Sequence, residues 1–238
     1  MTARHSAALL VVAALAAAGP GRAGTDRPSR HAGAEVARVV APAVVRPHPG
    51  AGPILRLLAT RTSWSGSPQQ LLVLGSRTGA DGRPWLRVRL PGRPNGSSGW
   101  IRRDRVVVRH VPWWIDVSLS RRLVRVFRNG SLVRRFRAVV GAARTPTPVG
   151  LYAVYEADPQ PSAGDFVGSW VIQLTAFSDV LDNYGGGPGR VAIHGRGGAS
   201  LADPLGSARS HGCVRVANAD VQWLARTVAA GTPVRIRR

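Results

Sequence analysis

Alternating apolar segments and turn signals constrain the fold of this 238-residue chain more than any other feature. The pair Asn129-Gly130 separates two apolar segments, 123–127 and 132–140. This pair is a strong hairpin signal because both residues tolerate the positive φ angles of a tight two-residue turn. The C-terminal half is therefore predicted to consist largely of β-strands. Further strands are predicted at 151–155, 168–176, 190–194 and 233–237.

The preceding region shows the same alternation on a smaller scale. Five short candidate strands lie at 54–58, 70–74, 84–90, 99–101 and 106–108. Turn signals at 79–82 and 94–97 separate some of them. Short strands at this density indicate a small barrel, in which Trp85 and Trp100 are expected to fill the centre.

The N-terminus has the pattern of a secretory signal. An apolar run at 7–18 follows Arg4 and His5 and precedes the small residues of Gly21-Arg22-Ala23. Such a run is too short to span a bilayer comfortably but is typical of a signal peptide. Residues 1–23 are therefore predicted to be a signal peptide, with an uncleaved membrane anchor as the alternative. Residues 24–40 lack periodicity and are predicted to be a linker.

One helix is predicted, at 219–230. Asn218 is a suitable N-cap, and Gly231 followed by Pro233 would end the helix. The predicted buried stripe consists of Val221, Leu224, Ala225 and Val228.

The charge is strongly positive. The chain has 33 basic residues, all of them arginine, against 12 acidic residues, so the formal net charge is +21. Such a charge favours an anionic partner such as nucleic acid, a membrane surface or a cell-wall polymer. The arginines are dispersed, so the alternative that they merely cover solvated faces stays open. Predicted export and the lack of a nucleic-acid motif argue against a nucleic-acid binder.

A single cysteine, Cys213, lies in the motif Ser210-His211-Gly212-Cys213. It can be a buried inert thiol, an intermolecular bridge or a nucleophile. A nucleophilic thiol needs a neighbouring imidazole to take its proton, and His194 and His211 are both candidates. The backbone N–H groups of Gly212 and Cys213 are candidate oxyanion donors. The 211–213 spacing is tighter than in zinc motifs and no Glu is nearby, so neither a metal nor another cofactor is predicted.

These motifs resemble the catalytic domain of the L,D-transpeptidases, the YkuD domain. The resemblance rests on His194-Gly195, on the cysteine motif with Arg215 and Asn218, and on the segments 145–152 and 231–236. It covers about residues 113–238. The preceding part resembles the SH3-like modules that accompany bacterial cell-wall enzymes. The expected domains are therefore 41–110, an SH3-like β domain, and 111–238, the catalytic domain.

The resemblance implies a mainly β fold: a small SH3-like barrel followed by a YkuD-type β-sandwich with one or two short helices. It also implies a two-step acyl transfer in which Cys213 is the nucleophile and His194 the base, oriented by the carbonyl of Gly195. His211 is the rival base. Site-shaping roles fall to His211, Gly212 and Ser210, and substrate-binding roles to Arg215, Asn218 and Tyr184. Arg215 could instead brace the cysteine loop, and Tyr184 lies in a Gly-rich segment that is either a lid or a plain loop.

The expected substrates are peptidoglycan stem peptides, a donor tetrapeptide and an acceptor amine, with D-alanine released and a 3→3 crosslink formed. A carbapenem would trap the thiol. Trimming of stem peptides by an L,D-carboxypeptidase is the first alternative, attachment of proteins to the wall is a further acceptor reaction, and a non-catalytic wall-binding protein is a third. Anionic wall polymers are possible partners. The expected location is the periplasm or cell wall, with membrane contact only through an uncleaved signal segment.

Overall fold

The computed structural model describes residues 31–184 and 186–238. The predicted signal peptide and the first residues of the predicted linker lie outside the described residues. The described chain forms two β-rich units, one before and one after residue 112, so the prediction of a mainly β fold is confirmed. Within the described ranges, no helix has the length and apolar character needed to cross a membrane.

The N-terminal unit contains seven strands. They are β1 (Ala34–Val39), β2 (Ala43–Val45), β3 (Arg56–Leu58), β4 (Gln70–Thr78), β5 (Pro84–Arg89), β6 (Ser98–Arg102) and β7 (Val106–Val111). Five of them form an antiparallel sheet in the order β6-β5-β4-β1-β7, and β2 pairs with β3. The likeness of this unit to an SH3-like barrel stays a prediction.

Strand β1 corrects the predicted linker. Four of its six residues are buried and only Glu35 and Arg38 are exposed, and it pairs with both β4 and β7 inside the sheet. The linker was predicted because residues 24–40 lack periodicity, and the buried residues of β1 indeed do not follow the strict alternation of a half-buried strand. Pairing on both sides makes it a central strand, and the folded unit begins near Ala34 rather than at 41.

The core of the N-terminal unit also differs from the prediction. Aliphatic side chains, such as Leu86 and Val88 of β5, fill it. Trp85 is buried but points to the opposite face of the strand, where its indole N–H donates to Asp81 at 3.0 Å. Trp100 is only half-buried. Neither tryptophan fills the centre, because strand alternation places their neighbours there instead.

The C-terminal unit contains ten strands and one α-helix. The strands are β8 (Trp113–Ser118), β9 (Leu123–Arg128), β10 (Ser131–Arg137), β11 (Val140–Gly141), β12 (Gly150–Pro159), β13 (Trp170–Phe177), β14 (Arg190–His194), β15 (Ala208–Ser210), β16 (Val214–Arg215) and β17 (Pro233–Arg237). Eight form one sheet in the order β10-β9-β8-β17-β12-β13-β14-β16. Residues from both ends of this sheet, such as Val124 and Val214, share one core, so the sheet curls around it.

The β9–β10 hairpin forms where the sequence predicts it. Asn129 and Gly130 adopt φ angles of 48° and 88°, the left-handed region that this turn requires. The hairpin lies at the edge of the curled sheet and leaves the opposite edge, β14 and β16, to carry the sequence motifs.

Helix α1 spans Asn218–Thr227 and is shorter than predicted. Its N-cap is Ala217, which makes no side-chain cap, so the prediction of Asn218 as N-cap is wrong. Asn218 is instead the first helical residue, and its side chain bonds to distant loops. The helix ends early because Val228 turns extended and packs into the core.

The two units pack against each other through a small shared core. Val36, Leu72 and Val111 of the N-terminal unit contact Ala153 of strand β12. Gly231, at φ +86°, packs against Val36 so closely that a Cβ atom at position 231 would collide with the Val36 side chain. This contact fixes one end of the N-terminal unit beside the sheet that carries the site.

Candidate active site

Parallel pairing of β14 and β16 brings the two predicted catalytic side chains to one face. Ile193 is opposite Val214, and His194 is opposite Arg215. Extending this register by one residue puts Cys213 opposite Ala192. Because Ala192 is two residues before His194 on the same strand, the side chains of Cys213 and His194 point to the same face of the sheet. A strand spacing of about 4.8 Å and a rise of about 3.3 Å per residue separate the Cys213 and His194 Cα atoms by about 8 Å, a diagonal that their side chains can span.

His194 is buried and held in one orientation. Its exposure is 3%. Nδ1 donates to the carbonyl of Gly195 at 2.8 Å, which is the contact expected from the sequence. Because Nδ1 carries the proton in that bond, Nε2 of the neutral ring is an acceptor. The imidazole therefore presents a basic nitrogen without a carboxylate partner.

A cavity of about 420 Å³ opens in front of these side chains. Five of the predicted site residues line it, namely Tyr184, His194, His211, Cys213 and Arg215. The lining does not include Ser210, Gly212, Gly195 or Asn218. The remaining wall is mostly apolar, with Phe166 and Val167 on one side. Such a largely apolar cavity with a few convergent polar groups is typical of a small-molecule or peptide site.

Burial controls the ionisation of both catalytic candidates. Burial lowers the pKa of His194 to about 4. The positive charge of Arg215 lowers this pKa further, whereas the hydrogen bond to the Gly195 carbonyl raises it. Burial also raises the pKa of the Cys213 thiol, although the Ala192 backbone N–H and the Arg215 charge oppose this. At neutral pH the free protein therefore contains a thiol and a neutral imidazole rather than a thiolate–imidazolium pair.

This neutral state predicts the pH dependence of alkylation. Because the pKa of Cys213 is above its ordinary value, its thiolate fraction rises about tenfold per pH unit from pH 6 to 9. The rate of carbamidomethylation by iodoacetamide should rise with the same slope. Mass spectrometry can follow the reaction without ambiguity because the chain has one cysteine. A rate that is already constant between pH 6 and 7.5 would contradict the neutral pair.

The cysteine loop is fixed by Ser210. The Ser210 hydroxyl donates to the Cys213 carbonyl at 2.5 Å and accepts the Gly212 N–H at 3.1 Å. The Gly212 N–H is thus already bonded, which corrects its expected role as an oxyanion donor. The Cys213 N–H has no acceptor among the described residues and stays a candidate. Gly212 adopts φ +115°, a backbone conformation that favours glycine at this position.

Arg215 braces the loop from within the cavity wall. Nη1 donates to Asp203 at 2.6 Å, and the guanidinium lies 4.7 Å from the centre of the Phe166 ring. The side chain is only 3% exposed. Of the two roles left open by the sequence, bracing is the one that these contacts show, and substrate pairing stays a prediction.

His211 is arranged differently from His194. It is exposed, and its Nδ1 lies 3.2 Å from the hydroxyl of Tyr184. The two rings are 5.0 Å apart between centroids. His211 and Tyr184 therefore form one side of the cavity mouth, and the site-shaping role of His211 and the substrate-binding role of Tyr184 stay predictions.

Asn218 ties two loops to the end of β14. Its Oδ1 accepts the N–H groups of Ser169 and Arg196, and its Nδ2 donates to the carbonyls of Arg196 and Ala163. Oδ1 also lies where a Cβ on Gly195 would be. Asn218 thus positions the backbone of Gly195, which in turn orients His194, and it lies outside the cavity lining.

Replacing Asn218 with alanine should therefore weaken both stability and activity. The change leaves partly buried backbone groups without partners, which costs about 1–3 kcal/mol of unfolding free energy. We also expect about a tenfold loss of kcat because the carbonyl that orients His194 is no longer fixed. Urea unfolding and turnover can be measured on the same sample. Gln222→Ala, on the same helix, is the matched control, and equal behaviour of the two variants would contradict the role.

Several residues of the site lacked a sequence signal. Asp203 follows a short 3₁₀ helix and gave no motif, although it pairs with Arg215. Phe166 and Gln173 line the cavity from a loop and from β13. Ser63 and Trp64 line it from the N-terminal unit, more than 100 residues away in sequence. In the described residues no cluster of three or more His, Cys, Asp or Glu side chains forms a metal site.

Comparison with known proteins agrees with the motifs. The sequence profile of YkuD, the L,D-transpeptidase catalytic domain, matches residues 112–236. The L,D-transpeptidase candidate YkuD of Bacillus licheniformis is 34% identical over 126 residues, 53% of this chain and 66% of that protein, which is just under two thirds of its length. Its counterpart in Bacillus subtilis is 30% identical over 128 residues, 54% of this chain and 68% of that protein.

Solved structures of similar proteins are more distant. An L,D-transpeptidase from Mycobacterium tuberculosis has a TM-score of 0.44 and 16% identity, over 71% of this chain and 90% of that chain. An L,D-transpeptidase from Mycobacterium smegmatis has a TM-score of 0.43 and 17% identity, over 86% of this chain and 99% of that chain. Because the family profile matches more than half of its length, the chain belongs to the YkuD family of L,D-transpeptidase catalytic domains.

Proposed function

We propose that this protein is an exported peptidoglycan L,D-transpeptidase that forms 3→3 crosslinks through a thioester on Cys213. The observation that carries the proposal is the placement of Cys213 and His194 on one face of two paired parallel strands, at the wall of one cavity. Export is supported by the sequence pattern of residues 1–23. The net charge of +21 fits a location among anionic wall polymers.

The first step is acylation of the enzyme. Cys213 Sγ bonds to the carbonyl carbon between the third stem residue and D-alanine, while its proton passes to Nε2 of His194. The Cys213 N–H is the backbone donor available to the developing oxyanion. When the C–N bond breaks, the D-alanine amine takes that proton and leaves. Because both groups are neutral in the free protein, proton transfer accompanies attack rather than preceding it.

The second step returns the thiol. The side-chain amine of a diamino acid on another stem attacks the thioester carbonyl, and His194 takes a proton from that amine. The C–S bond breaks, and the thiolate recovers the proton from the imidazolium. The two transfers replace one difficult amide exchange with two easier ones.

Product analysis tests this proposal. Purified protein is incubated with disaccharide-tetrapeptide, and the products are separated and weighed by mass spectrometry. A dimer lacking one D-alanine, joined between the two third residues, is the expected product. Tripeptide without dimer would assign the protein to the L,D-carboxypeptidases, and unchanged substrate together with no carbapenem adduct would leave a wall-binding protein.

A further inference from the structure

The N-terminal unit reaches the active-site cavity at two places. We define the rim segment as residues 177–184 and 186–189, which run from the end of β13 to the start of β14 and carry Tyr184. One loop of the N-terminal unit bonds to the rim segment, and another supplies part of the cavity wall. The family profile begins at residue 112, so both contacts come from outside the matched domain.

Arg93 fixes the rim segment through its carbonyls. Its guanidinium donates to the carbonyls of Ser178, Leu181 and Pro188, each at 3.0 Å. The same group lies 4.9 Å from the centre of the Phe177 ring. Three hydrogen bonds from one planar group to both halves of a loop fix its shape, which a surface ion pair would not do.

Asn95 adds a second attachment at the start of the rim segment. Its Nδ2 donates to the Phe177 carbonyl at 2.6 Å and to Asp179 at 2.7 Å, and its Oδ1 accepts the Phe177 N–H at 2.8 Å. The side-chain amide thus bonds to both backbone groups of Phe177, as a neighbouring strand would. The end of β13 is held by a residue more than 80 positions earlier in the chain.

Trp64 forms an aromatic part of the cavity wall. It lines the cavity together with Ser63, Phe166 and Leu181. Its side chain is 65% exposed, so a large apolar surface faces solvent at the mouth of the site. An exposed indole in such a place can stack on a ligand while its N–H stays available for a hydrogen bond.

The contacts continue to the cysteine loop. The rim segment carries Tyr184, whose hydroxyl contacts His211, and His211 is two residues before Cys213. Loss of the Arg93 and Asn95 hydrogen bonds would therefore change the shape of the cavity mouth more than the geometry of the Cys213–His194 pair. We therefore expect an effect on binding of the donor substrate rather than on the intrinsic reactivity of the Cys213 thiol.

We propose that the N-terminal unit completes the substrate site: Arg93 and Asn95 are positioning residues for the rim segment, and Trp64 contacts the donor glycopeptide. The proposal rests on the function proposed above for the identity of the donor. The attachment of the rim segment can be tested independently of that function.

The test uses the full chain and five variants, three that change Trp64 or Arg93 and two that serve as controls. Trp64→Ala and its conservative form Trp64→Phe are compared with Leu57→Ala, a control in the same unit that is also 65% exposed. Arg93→Ala is compared with Arg109→Ala, whose guanidinium bonds to Gln70 within the N-terminal unit. Turnover of disaccharide-tetrapeptide and of free tetrapeptide, iodoacetamide alkylation of Cys213 and hydrogen exchange in the rim segment are measured for each.

Trp64→Ala should lower kcat/KM about tenfold, mainly through KM, with unchanged alkylation, and Trp64→Phe should recover most of the loss. A loss confined to the disaccharide donor would place the sugar on the indole, and a loss with both donors would place the peptide there. Arg93→Ala should raise the rate of hydrogen exchange in the rim segment about tenfold.

Turnover by Trp64→Ala equal to that of Leu57→Ala, or an unchanged rate of hydrogen exchange in Arg93→Ala, would overturn the proposal. A wild-type protein that turns over neither donor would instead refute the proposed function, and hydrogen exchange would still decide the role of Arg93.

Discussion

Replacing Cys213 with alanine is expected to abolish D-alanine release, dimer formation and carbapenem adduct formation. The loss should be at least about 10³-fold, because the thioester has no other atom on which to form. The fold should persist, since the change removes only one sulfur atom from the wall of a cavity. Turnover of disaccharide-tetrapeptide and intact-protein mass after carbapenem treatment measure the two effects.

The matched control is Ser210→Ala. That change keeps the sulfur but removes the hydroxyl that bonds to the Cys213 carbonyl and the Gly212 N–H. It should reduce the rate and leave adduct formation measurable. D-alanine release by Cys213→Ala, in a sample with the circular dichroism spectrum of the wild type, would refute the nucleophile assignment.

Replacing His194 with glutamine should cost far more than the same change at His211. Removal of a positioned general base typically costs about 10²–10⁴-fold in rate. His194 is buried with its Nδ1–H bonded to the Gly195 carbonyl, whereas His211 is exposed at the cavity mouth. We therefore expect less than about a tenfold loss for His211→Gln. Values of kcat/KM for both variants, with His110→Gln in the N-terminal unit as control, measure the ranking.

The pH profile gives an independent test of the base. Protonated His194 cannot accept the thiol proton, and its pKa is lowered to about 4. Activity should therefore fall only as the pH decreases through about 4, not through the ordinary value of 6.5. A larger loss for His211→Gln, or an acid limb near 6.5, would assign the proton transfer to the exposed imidazole.

The strands of the C-terminal unit were the most predictable part of the fold. The Asn129-Gly130 turn and the segments at 190–194 and 233–237 have local signals, since turn chemistry and apolar content act on neighbouring residues. Strand β1 was missed because its short pattern makes sense only between β4 and β7. Trp85 was assigned to the wrong face for a similar reason, since a large apolar residue does not reveal which side of a strand is the core.

The residues of the site also differ in how far the sequence alone could predict them. Cys213 and His194 were proposed as nucleophile and base from their residue types and motifs, and the structure places both at the wall of one cavity. Asn218 was assigned to the helix cap and to substrate binding, and its side chain instead bonds to Ala163, Ser169 and Arg196. Asp203 carries no motif, and only the position of Arg215 gives it a partner.

By itself the sequence determined the strand-rich class and the family and predicted Cys213 and His194 as the reacting pair, since turn signals, the lone thiol and the motif are properties of short stretches of chain. The tertiary structure alone decided the ionisation of Cys213 and His194, because burial sets their pKa values. It also decided the use of the Gly212 N–H and the contact of Arg93 with the rim segment. These features depend on contacts between residues that are distant in sequence and on the exclusion of water by folding. Neither can be predicted from a short stretch of sequence.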